Sequence, residues 1–239
     1  MHGFGSRLVD VEISRSNNNP IRGLKDTEDY SLEEAIKIAQ QKDKEFQSEE
    51  MEGPLFLAHD FAESKKNDPY HLTQDEIAAI NLYTQETSLY KILNARLRNS
   101  NRDFVRPFFP YIKLLMKGLF KLPQVKTTVY RGINKNLESE YPKGKKPVWW
   151  GFSSTSSNIE VLNVQTFFDT TKERTMFHIK TETAVSIQEY SANPQEDEVL
   201  LLPGTCLIVE GVLPAGPGLR IIQAKESPPV SGLIDFVRK

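Results

Sequence analysis

LPQVKTTVYRG, at residues 122–132, is the stretch at which the pattern of this 239-residue chain changes. From Pro123 onward the sequence consists of short runs rich in β-branched and aromatic residues, separated by prolines, glycines and polar turns. Such runs are typical of β-strands. The predicted strands are TTVYRG, VWWGFSS, TMFHIKT, EVLLL, TCLIVEGVL and LRIIQAK, with EYPKGKKP and LPAGPG as loops.

The part of the chain before this stretch has the spacing of helices. SLEE and TQDE match the S/T-x-x-E capping box, which marks the first turn of a helix, at Ser31 and Thr73. Behind the second box, Ile77, Ile80 and Tyr83 recur at helical intervals, and similar repeats continue to about residue 120. The first half of the chain is therefore predicted to be helical.

The order of these two patterns predicts the fold class. Helices come first and strands second, without the strand-helix alternation of a doubly wound sheet, so we predict an α+β fold. Residues 1–28 carry the polar run SRSNNNP and are predicted to be a loosely ordered arm. A helical lobe is expected at 29–122 and a β-rich core at 123–239, and together they are expected to form one functional domain.

Composition and charge exclude several classes of partner. The formal net charge is -2, so the chain lacks the general positive field that attracts proteins to nucleic acid or anionic lipid. No run approaches the roughly 18 to 20 apolar residues of a membrane span, and the first residues lack the apolar segment of a secretory signal. We expect no nucleic-acid or membrane partner, and action in the cytoplasm, natively or as a delivered effector.

Several common chemistries find no support in the sequence. The single cysteine, Cys206, alternates with apolar neighbours and is predicted to be a buried core thiol and not a nucleophile. The four histidines have no metal-ligand spacing, so no metal site is predicted. The motifs of serine hydrolases, P-loop enzymes and dinucleotide-binding folds do not occur.

Two groups of polar residues suit the binding of a ligand. Arg131 follows an aromatic residue and precedes Gly132, which places a guanidinium beside backbone that a phosphate group can approach closely. An arginine at a strand end is also often an ordinary surface or ion-paired residue. The hydroxyls of Ser153–Ser156 suit the orientation of a carboxylate or a ligand, while Ser156 or Ser157 also suits the cap of a short helix.

Glu196 and Glu198 form the third polar group. On an extended segment, residues two apart point to the same side, so the two carboxylates are predicted to lie together. Like charges so close are unfavourable unless a cation lies between or beside them, and a cationic substrate supplies one. The alternative is a solvated acidic turn that leads into a buried strand.

The order of these groups resembles the R-S-E class of mono-ADP-ribosyltransferases, the arginine-specific group shared by vertebrate ecto-enzymes and bacterial toxins. The three parts are YRG at 130–132, S-T-S at 154–156 and E-D-E at 196–198. IAAINLYTQ, YKILNARLR, VWWGFSSTSS and YSANPQEDEVLLLPGT also resemble eukaryotic members, so the resemblance covers about residues 72–219. It implies a split β-sandwich or barrel core that binds NAD, with the helical lobe alongside.

The resemblance also implies a role for each polar group. Arg131 would bind the phosphates of NAD, and the backbone at Gly132 would face the nicotinamide amide. Ser154 would hold Glu198, with Ser153 as the alternative register. Glu198 would bind the 2′-hydroxyl of the nicotinamide ribose and stabilise the oxocarbenium-like cation that forms as nicotinamide leaves.

The remaining roles concern the acceptor and the nicotinamide ring. Glu196 would recruit the acceptor guanidinium and take a proton from it as its nitrogen attacks the ribose. Phe167 would stack on nicotinamide, with Phe168 as the alternative and a place in the hydrophobic core as the alternative for either. No metal takes part in this scheme.

These roles predict an enzyme that transfers ADP-ribose from NAD to arginine side chains of a target protein. An NAD glycohydrolase, in which water replaces the acceptor, is the second enzymatic hypothesis. A non-catalytic NAD-binding module is the third, and it predicts binding without turnover.

Overall fold

The computed structural model describes residues 19–163 and 173–228 of the chain. Two compact units are distinguished by their internal contacts. The helical unit comprises residues 19–123 and 189–194 of this part, and the sheet unit comprises residues 124–163, 173–188 and 195–228. Within the described residues, no helix combines the length and apolar character that crossing a bilayer requires.

The helical unit contains five α-helices in its described residues. They are α1 (Leu32–Lys42), α2 (Glu52–Ser64), α3 (Gln74–Thr84), α4 (Leu89–Arg98) and α5 (Phe109–Lys121). Both predicted capping boxes are confirmed. Ser31 Oγ accepts a hydrogen bond from the Glu34 N–H at 3.3 Å, and Thr73 Oγ1 accepts one from the Glu76 N–H at 3.2 Å. Each glutamate in turn accepts from the N–H of its capping residue, so both helices begin where the sequence predicts.

Helix α3 is the buried centre of this unit. It packs against α2 and α5, and Ile77, Ile80 and Leu82 are fully buried. Gly118 lets α5 approach α3 closely, because a Cβ atom at that position would lie 3.2 Å from both Glu76 Cβ and Ile80 Cδ1. Full burial of an isoleucine or leucine side chain contributes about 1.5–3 kcal/mol to the free energy of unfolding. The packing of α2 and α5 against α3 therefore contributes to the stability of the helical unit.

A short segment from much later in the chain belongs to the same unit. The Ala192 N–H donates to Thr84 Oγ1 at 2.8 Å, and Asn193 Nδ2 donates to the Thr84 carbonyl at 3.2 Å. Asn81 Nδ2 donates to the Tyr190 carbonyl at 3.1 Å. The C-terminal turn of α3 therefore fixes residues 190–193, which the sequence does not assign to the helical part.

The start of the helical unit includes residues that the sequence places in the arm. Ile21 and Leu24 are buried, and a short 3₁₀ helix spans Leu24–Asp26. Residues 1–18 lie outside the described part of the chain.

The sheet unit contains seven strands in its described residues. They are β1 (Gln124–Ile133), β2 (Val148–Trp149), β3 (Ser153–Ser156), β4 (Arg174–Ser186), β5 (Glu198–Leu201), β6 (Thr205–Pro214) and β7 (Leu219–Glu226). Their order is β1-β3-β5-β4-β7-β6-β2, and β1 also pairs with β4. The strands β1, β3, β5 and β4 therefore close into a four-stranded barrel, with β7, β6 and β2 as an extension. The predicted α+β class, with helices followed by a barrel-like β core, is confirmed.

Aromatic residues fill the core of the sheet unit. The rings of Tyr141 and Trp149 meet that of Phe177 edge to face, with centroids 4.9 and 5.2 Å apart. Trp149 Nε1 donates a hydrogen bond to Tyr141 Oη at 3.0 Å, and burial raises the pKa of Tyr141 to about 12. The thiol of Cys206 is buried, as the sequence predicts. This packing supports the strands that carry the candidate site.

Candidate active site

Strand β1 presents Arg131 as a buried cation. The residue is 2% exposed, so it is not an ordinary surface arginine. The backbones of β1 and β3 pair at one position, Tyr130 with Ser156. Next to this pair, the side chain of Arg131 connects the two strands. Its Nη1 donates a hydrogen bond to the Ser154 carbonyl. Gly132 follows on β1, opposite Met176 of β4.

Three of the four hydroxyls on β3 are engaged in structural hydrogen bonds. Ser156 Oγ donates to the Glu196 carbonyl at 2.8 Å, and Thr155 Oγ1 donates to the Val199 carbonyl at 2.5 Å. Ser153 Oγ reaches the Gly151 carbonyl at a longer distance of 3.5 Å. Ser154 Oγ is buried and has no hydrogen-bond partner among the described residues. Of the four, Ser154 has the hydroxyl that a ligand or a catalytic group can use.

The alternative role of the serine cluster as a helix cap is also partly seen. Ser156 Oγ accepts a hydrogen bond from the Asn158 N–H at 3.0 Å. A 3₁₀ helix follows at Ile159–Asn163, and Asn158 Oδ1 caps it by accepting from the Glu160 N–H at 2.9 Å. Ser156 thus holds the turn, while the capping oxygen belongs to Asn158.

The segment that carries the two glutamates is turned, and the prediction of an extended conformation is wrong. Pro194–Glu196 form a 3₁₀ helix, Asp197 has the left-handed φ of 47°, and Glu198 begins β5. The physical reason is that partners distant in sequence hold the Asp197 side chain. Gln188 Nε2 donates to Asp197 Oδ1 at 2.6 Å, and Asn158 Nδ2 donates to Oδ2 at 3.2 Å.

Both glutamates are buried, with Glu196 1% and Glu198 0% exposed. The alternative of a solvated acidic turn is therefore excluded. Carboxylates are almost never fully buried unless specific partners or a function require it.

The register of β3 and β5 places Glu198 beside the serine cluster. Glu198 lies opposite Ser156, and Leu200 lies opposite Ser154. Residues two apart on a strand share a face, so Ser154 and Glu198 are diagonal neighbours on one face, within reach of a long side chain. The structure thus brings Arg131, Ser154 and Glu198 onto three successive strands of the barrel, with Glu196 just before the third.

The sequence does not single out two further residues near Arg131. The His178 ring meets the Tyr130 ring edge to face, with centroids 5.0 Å apart, and burial lowers the pKa of His178, which favours the neutral imidazole. Arg174, at the start of β4, is buried and lines a small pocket together with Gly132 and Met176. The alternation of apolar and polar residues along TMFHIKT predicts that some of its side chains are buried. It does not show which residues of other strands they contact.

One further cluster lies in the helical unit. Glu33, His59 and Asp75 each offer a possible metal-ligand atom, and these atoms lie within 4.8 Å of one another. His59 Nε2 already pairs with Glu33 Oε1 at 2.8 Å. The pKa of Asp75 is raised by burial and by the charge of Glu33. Glu33 lies in α1, His59 in α2 and Asp75 in α3. Because the three residues are far apart in the sequence, their spacing does not reveal the cluster.

Phe167 and Phe168, the two candidates for stacking on nicotinamide, lie outside the described residues.

Comparisons with known proteins agree with this architecture. The family model described as NAD:arginine ADP-ribosyltransferase matches residues 18–215. No curated protein matches the chain by sequence.

Several solved structures share the fold. The Vis toxin from Vibrio splendidus, in its complex with agmatine, is 22% identical with a TM-score of 0.56, covering 89% of this chain and 93% of that one. HopU1 of Pseudomonas syringae is 20% identical with a TM-score of 0.63, covering 84% and 100%. The eukaryotic mono-ADP-ribosyltransferase ART2.2 is 22% identical with a TM-score of 0.56, covering 82% and 87%.

Proposed function

The chain belongs to the NAD:arginine ADP-ribosyltransferase family and is a mono-ADP-ribosyltransferase, and on that premise we propose that it modifies arginine side chains of a target protein. The carrying observation is the buried set of Arg131, Ser154 and Glu198 on three successive barrel strands, with Glu196 two residues before Glu198. NAD is the donor substrate, and nicotinamide is the leaving group.

Arg131 is the proposed ligand of the NAD phosphates. Its buried guanidinium is oriented by the bond to the Ser154 carbonyl, and its planar set of donors suits phosphate oxygens. Gly132 has no side chain that would keep the nicotinamide amide from the backbone. A buried cation also draws the anionic donor into the site.

Glu198 is the proposed residue that stabilises the reacting ribose. The bond from C1′ of the ribose to nicotinamide breaks, and its electron pair leaves with the nicotinamide nitrogen. A fixed carboxylate beside the positive charge that develops on the ribose lowers the barrier. The free hydroxyl of Ser154, on the same face of the sheet as Glu198, is suited to orient that carboxylate.

Glu196 is the proposed residue that selects the acceptor. Free arginine has a pKa above about 12, so its protonated guanidinium is a poor nucleophile. An anionic Glu196 attracts this cation and takes its proton as the nitrogen forms the new bond to C1′. The guanidine that has given its proton to Glu196 is neutral, and it takes on the positive charge of the ribose as the bond to C1′ forms. The product is therefore a substituted guanidinium, and the neutral carboxyl group of Glu196 then releases its proton to solvent.

Support for an arginine acceptor comes from the family model and from the agmatine complex of Vis, since agmatine carries the guanidinium of arginine. A target protein that presents an arginine is the corresponding partner, and the cytoplasm, natively or after delivery, is the proposed place of action. NAD hydrolysis, the second enzymatic hypothesis, is expected as a slow side reaction when no acceptor is bound.

The test follows nicotinamide release and label on agmatine when the purified chain is incubated with NAD labelled in its adenylate part. We expect wild type to label agmatine, Glu196→Gln to hydrolyse NAD without labelling, and Glu198→Gln to do neither. Glu189→Gln, an exposed glutamate in the nearby sequence, serves as the matched control and should behave as wild type. Release of nicotinamide by wild type without any label on agmatine would assign the chain to the glycohydrolases instead.

A further inference from the structure

We propose that Asp197, the residue between the two glutamates, is a positioning residue that sets the balance between transfer to arginine and hydrolysis of NAD. This inference rests on the function proposed above. The backbone of Asp197 is left-handed, with a φ of 47°. Aspartate and asparagine adopt this conformation more readily than other residues with a side chain, yet an unrestrained aspartate would still favour the extended form.

Hydrogen bonds from two other segments of the sheet unit hold Asp197 in this conformation. Both carboxylate oxygens accept from side-chain amides, Oδ1 from Gln188 at 2.6 Å and Oδ2 from Asn158 at 3.2 Å. The Asp197 carbonyl accepts from the Ser157 N–H at 3.2 Å. We call Asp197 with its two amide donors the Asp197 clamp.

The clamp is linked directly to the backbone of Glu196. Asn158 donates through its N–H to Ser156 Oγ at 3.0 Å, and the same hydroxyl donates to the Glu196 carbonyl at 2.8 Å. Three hydrogen bonds therefore link Asp197 to Asn158, Asn158 to Ser156 and Ser156 to Glu196, and the peptide bond between Glu196 and Asp197 closes the ring. A change in the Asp197 side chain is transmitted to Glu196 through this ring.

The clamp uses neutral donors in a place where a positive charge would be harmful. Asp197 lies between two carboxylates whose proposed partners, the ribose cation and the acceptor guanidinium, are positive. A lysine or arginine paired with Asp197 would repel both. Gln188 and Asn158 satisfy the carboxylate without adding charge, so the attraction for the cationic acceptor is preserved.

The two glutamates depend on the clamp to different degrees. Glu198 belongs to β5, where it lies opposite Ser156 and its carbonyl accepts from the Ile187 N–H at 3.0 Å. Glu196 lies before the strand, in the turn that the clamp shapes. Loss of the clamp should therefore displace Glu196 more than Glu198, and impair transfer more than cleavage of NAD.

The experiment compares Asp197→Ala, Asp197→Gly and Asp197→Asn with wild type, using labelled NAD and agmatine. Because a displacement of about 1 Å can cost up to roughly 100-fold in rate, we expect Asp197→Ala to lower agmatine labelling at least about tenfold. Its NAD hydrolysis should change by less than about threefold, and its KM for agmatine should rise. Asp197→Gly tolerates the left-handed backbone but lacks the clamp, so it should show the same split. Asp197→Asn also tolerates the left-handed backbone, but its single amide oxygen can accept from only one of the two donors, so its loss of transfer should be smaller than that of Asp197→Ala.

Two results would overturn this inference while leaving the proposed function intact. One is agmatine labelling at the wild-type rate in both Asp197→Ala and Asp197→Gly. The other is an equal loss of transfer and hydrolysis, which indicates general damage to the fold. If the Asp197 variants do not fold, Gln188→Leu removes one arm of the clamp and should give the same split. Failure of wild type to label agmatine would instead reject the proposed function, and the inference with it.

Discussion

The Arg131 guanidinium donates a hydrogen bond to the main-chain carbonyl of Ser154, on the neighbouring strand, just beyond the last residue pair that β1 and β3 share. A side chain thus continues the contact between the two strands where the backbone ladder stops. This contact needs a long side chain that stays charged and whose N–H donors have a fixed geometry. The planar guanidinium of arginine has these properties, whereas the ammonium of lysine lacks the fixed geometry.

Replacement of Arg131 by lysine should raise the KM for NAD by roughly 10- to 100-fold. A hydrogen bond to a charged group contributes about 1.5–3 kcal/mol, and an ammonium cannot reproduce the planar fork that holds both a carbonyl and a phosphate. Steady-state kinetics with varied NAD measure the effect. Arg220→Lys is the matched control, because Arg220 pairs with Glu138 at the surface; a normal KM in Arg131→Lys would contradict the assignment.

Removal of the Ser154 hydroxyl should lower kcat about 10- to 100-fold while leaving the free energy of unfolding within about 0.5 kcal/mol. The reason is that this hydroxyl makes no hydrogen bond within the described structure. Ser153→Ala should keep its activity. Kinetics and urea unfolding on both variants are the measurements. The opposite result, with Ser153 essential and Ser154 dispensable, would contradict the assignment of Ser154 and identify Ser153 as the serine that orients Glu198.

Two glycines in helices should respond to substitution in opposite directions. Gly53→Ala is expected to stabilise the protein by up to about 1 kcal/mol, because alanine favours the helix and no atom lies within 4 Å of the added Cβ. Gly118→Val should destabilise it by about 1–3 kcal/mol, because the side chain would collide with Glu76 and Ile80. Urea unfolding measures both, and equal effects would argue against the close approach of α5 to α3.

Stability should fall in acid through the Asp43 carboxyl, among others. Burial opposes ionisation of this group, but hydrogen bonds from Arg96 and from backbone N–H groups hold its pKa below the ordinary value. A folded-state pKa below the unfolded value, about 3.9, means that the stabilisation is present above that pH and is lost as the pH falls through the folded pKa.

The variant Asp43→Asn isolates this contribution. At pH 6 it should lower the free energy of unfolding by about 1–3 kcal/mol, because the paired hydrogen bonds from Arg96 at 2.7 and 3.1 Å are weakened. The difference from wild type should shrink as the pH falls below 4. A constant difference between pH 6 and pH 2.5 would show that the charge of Asp43 is not involved.

The features that the sequence predicts well are local. The capping boxes at Ser31 and Thr73 require only residues three apart, and the strand that carries Arg131 follows from β-branched and aromatic residues in succession. The order of the polar groups along the chain, together with the family resemblance, is enough to propose the site.

The features that it misses depend on distant partners. The turn between Glu196 and Glu198 is fixed by Gln188 and Asn158, and no local pattern shows that an asparagine 39 residues earlier will reach Asp197. The free hydroxyl of Ser154 likewise becomes evident only when its neighbours on β3 are seen to be engaged. The role of Phe167 in binding nicotinamide stays a prediction.

The hydrogen bonds between α3 and residues 190–193 affect how the protein folds during synthesis and whether fragments of it can fold. The helical unit needs residues that the ribosome adds more than 100 positions after α3, so its hydrogen bonding cannot be complete while the chain is still short. A fragment that stops at Pro123 would leave the amide of Asn81 and the hydroxyl of Thr84, both buried, without these late partners. Limited proteolysis at 189–194 should for the same reason loosen the first half of the chain as well as the second.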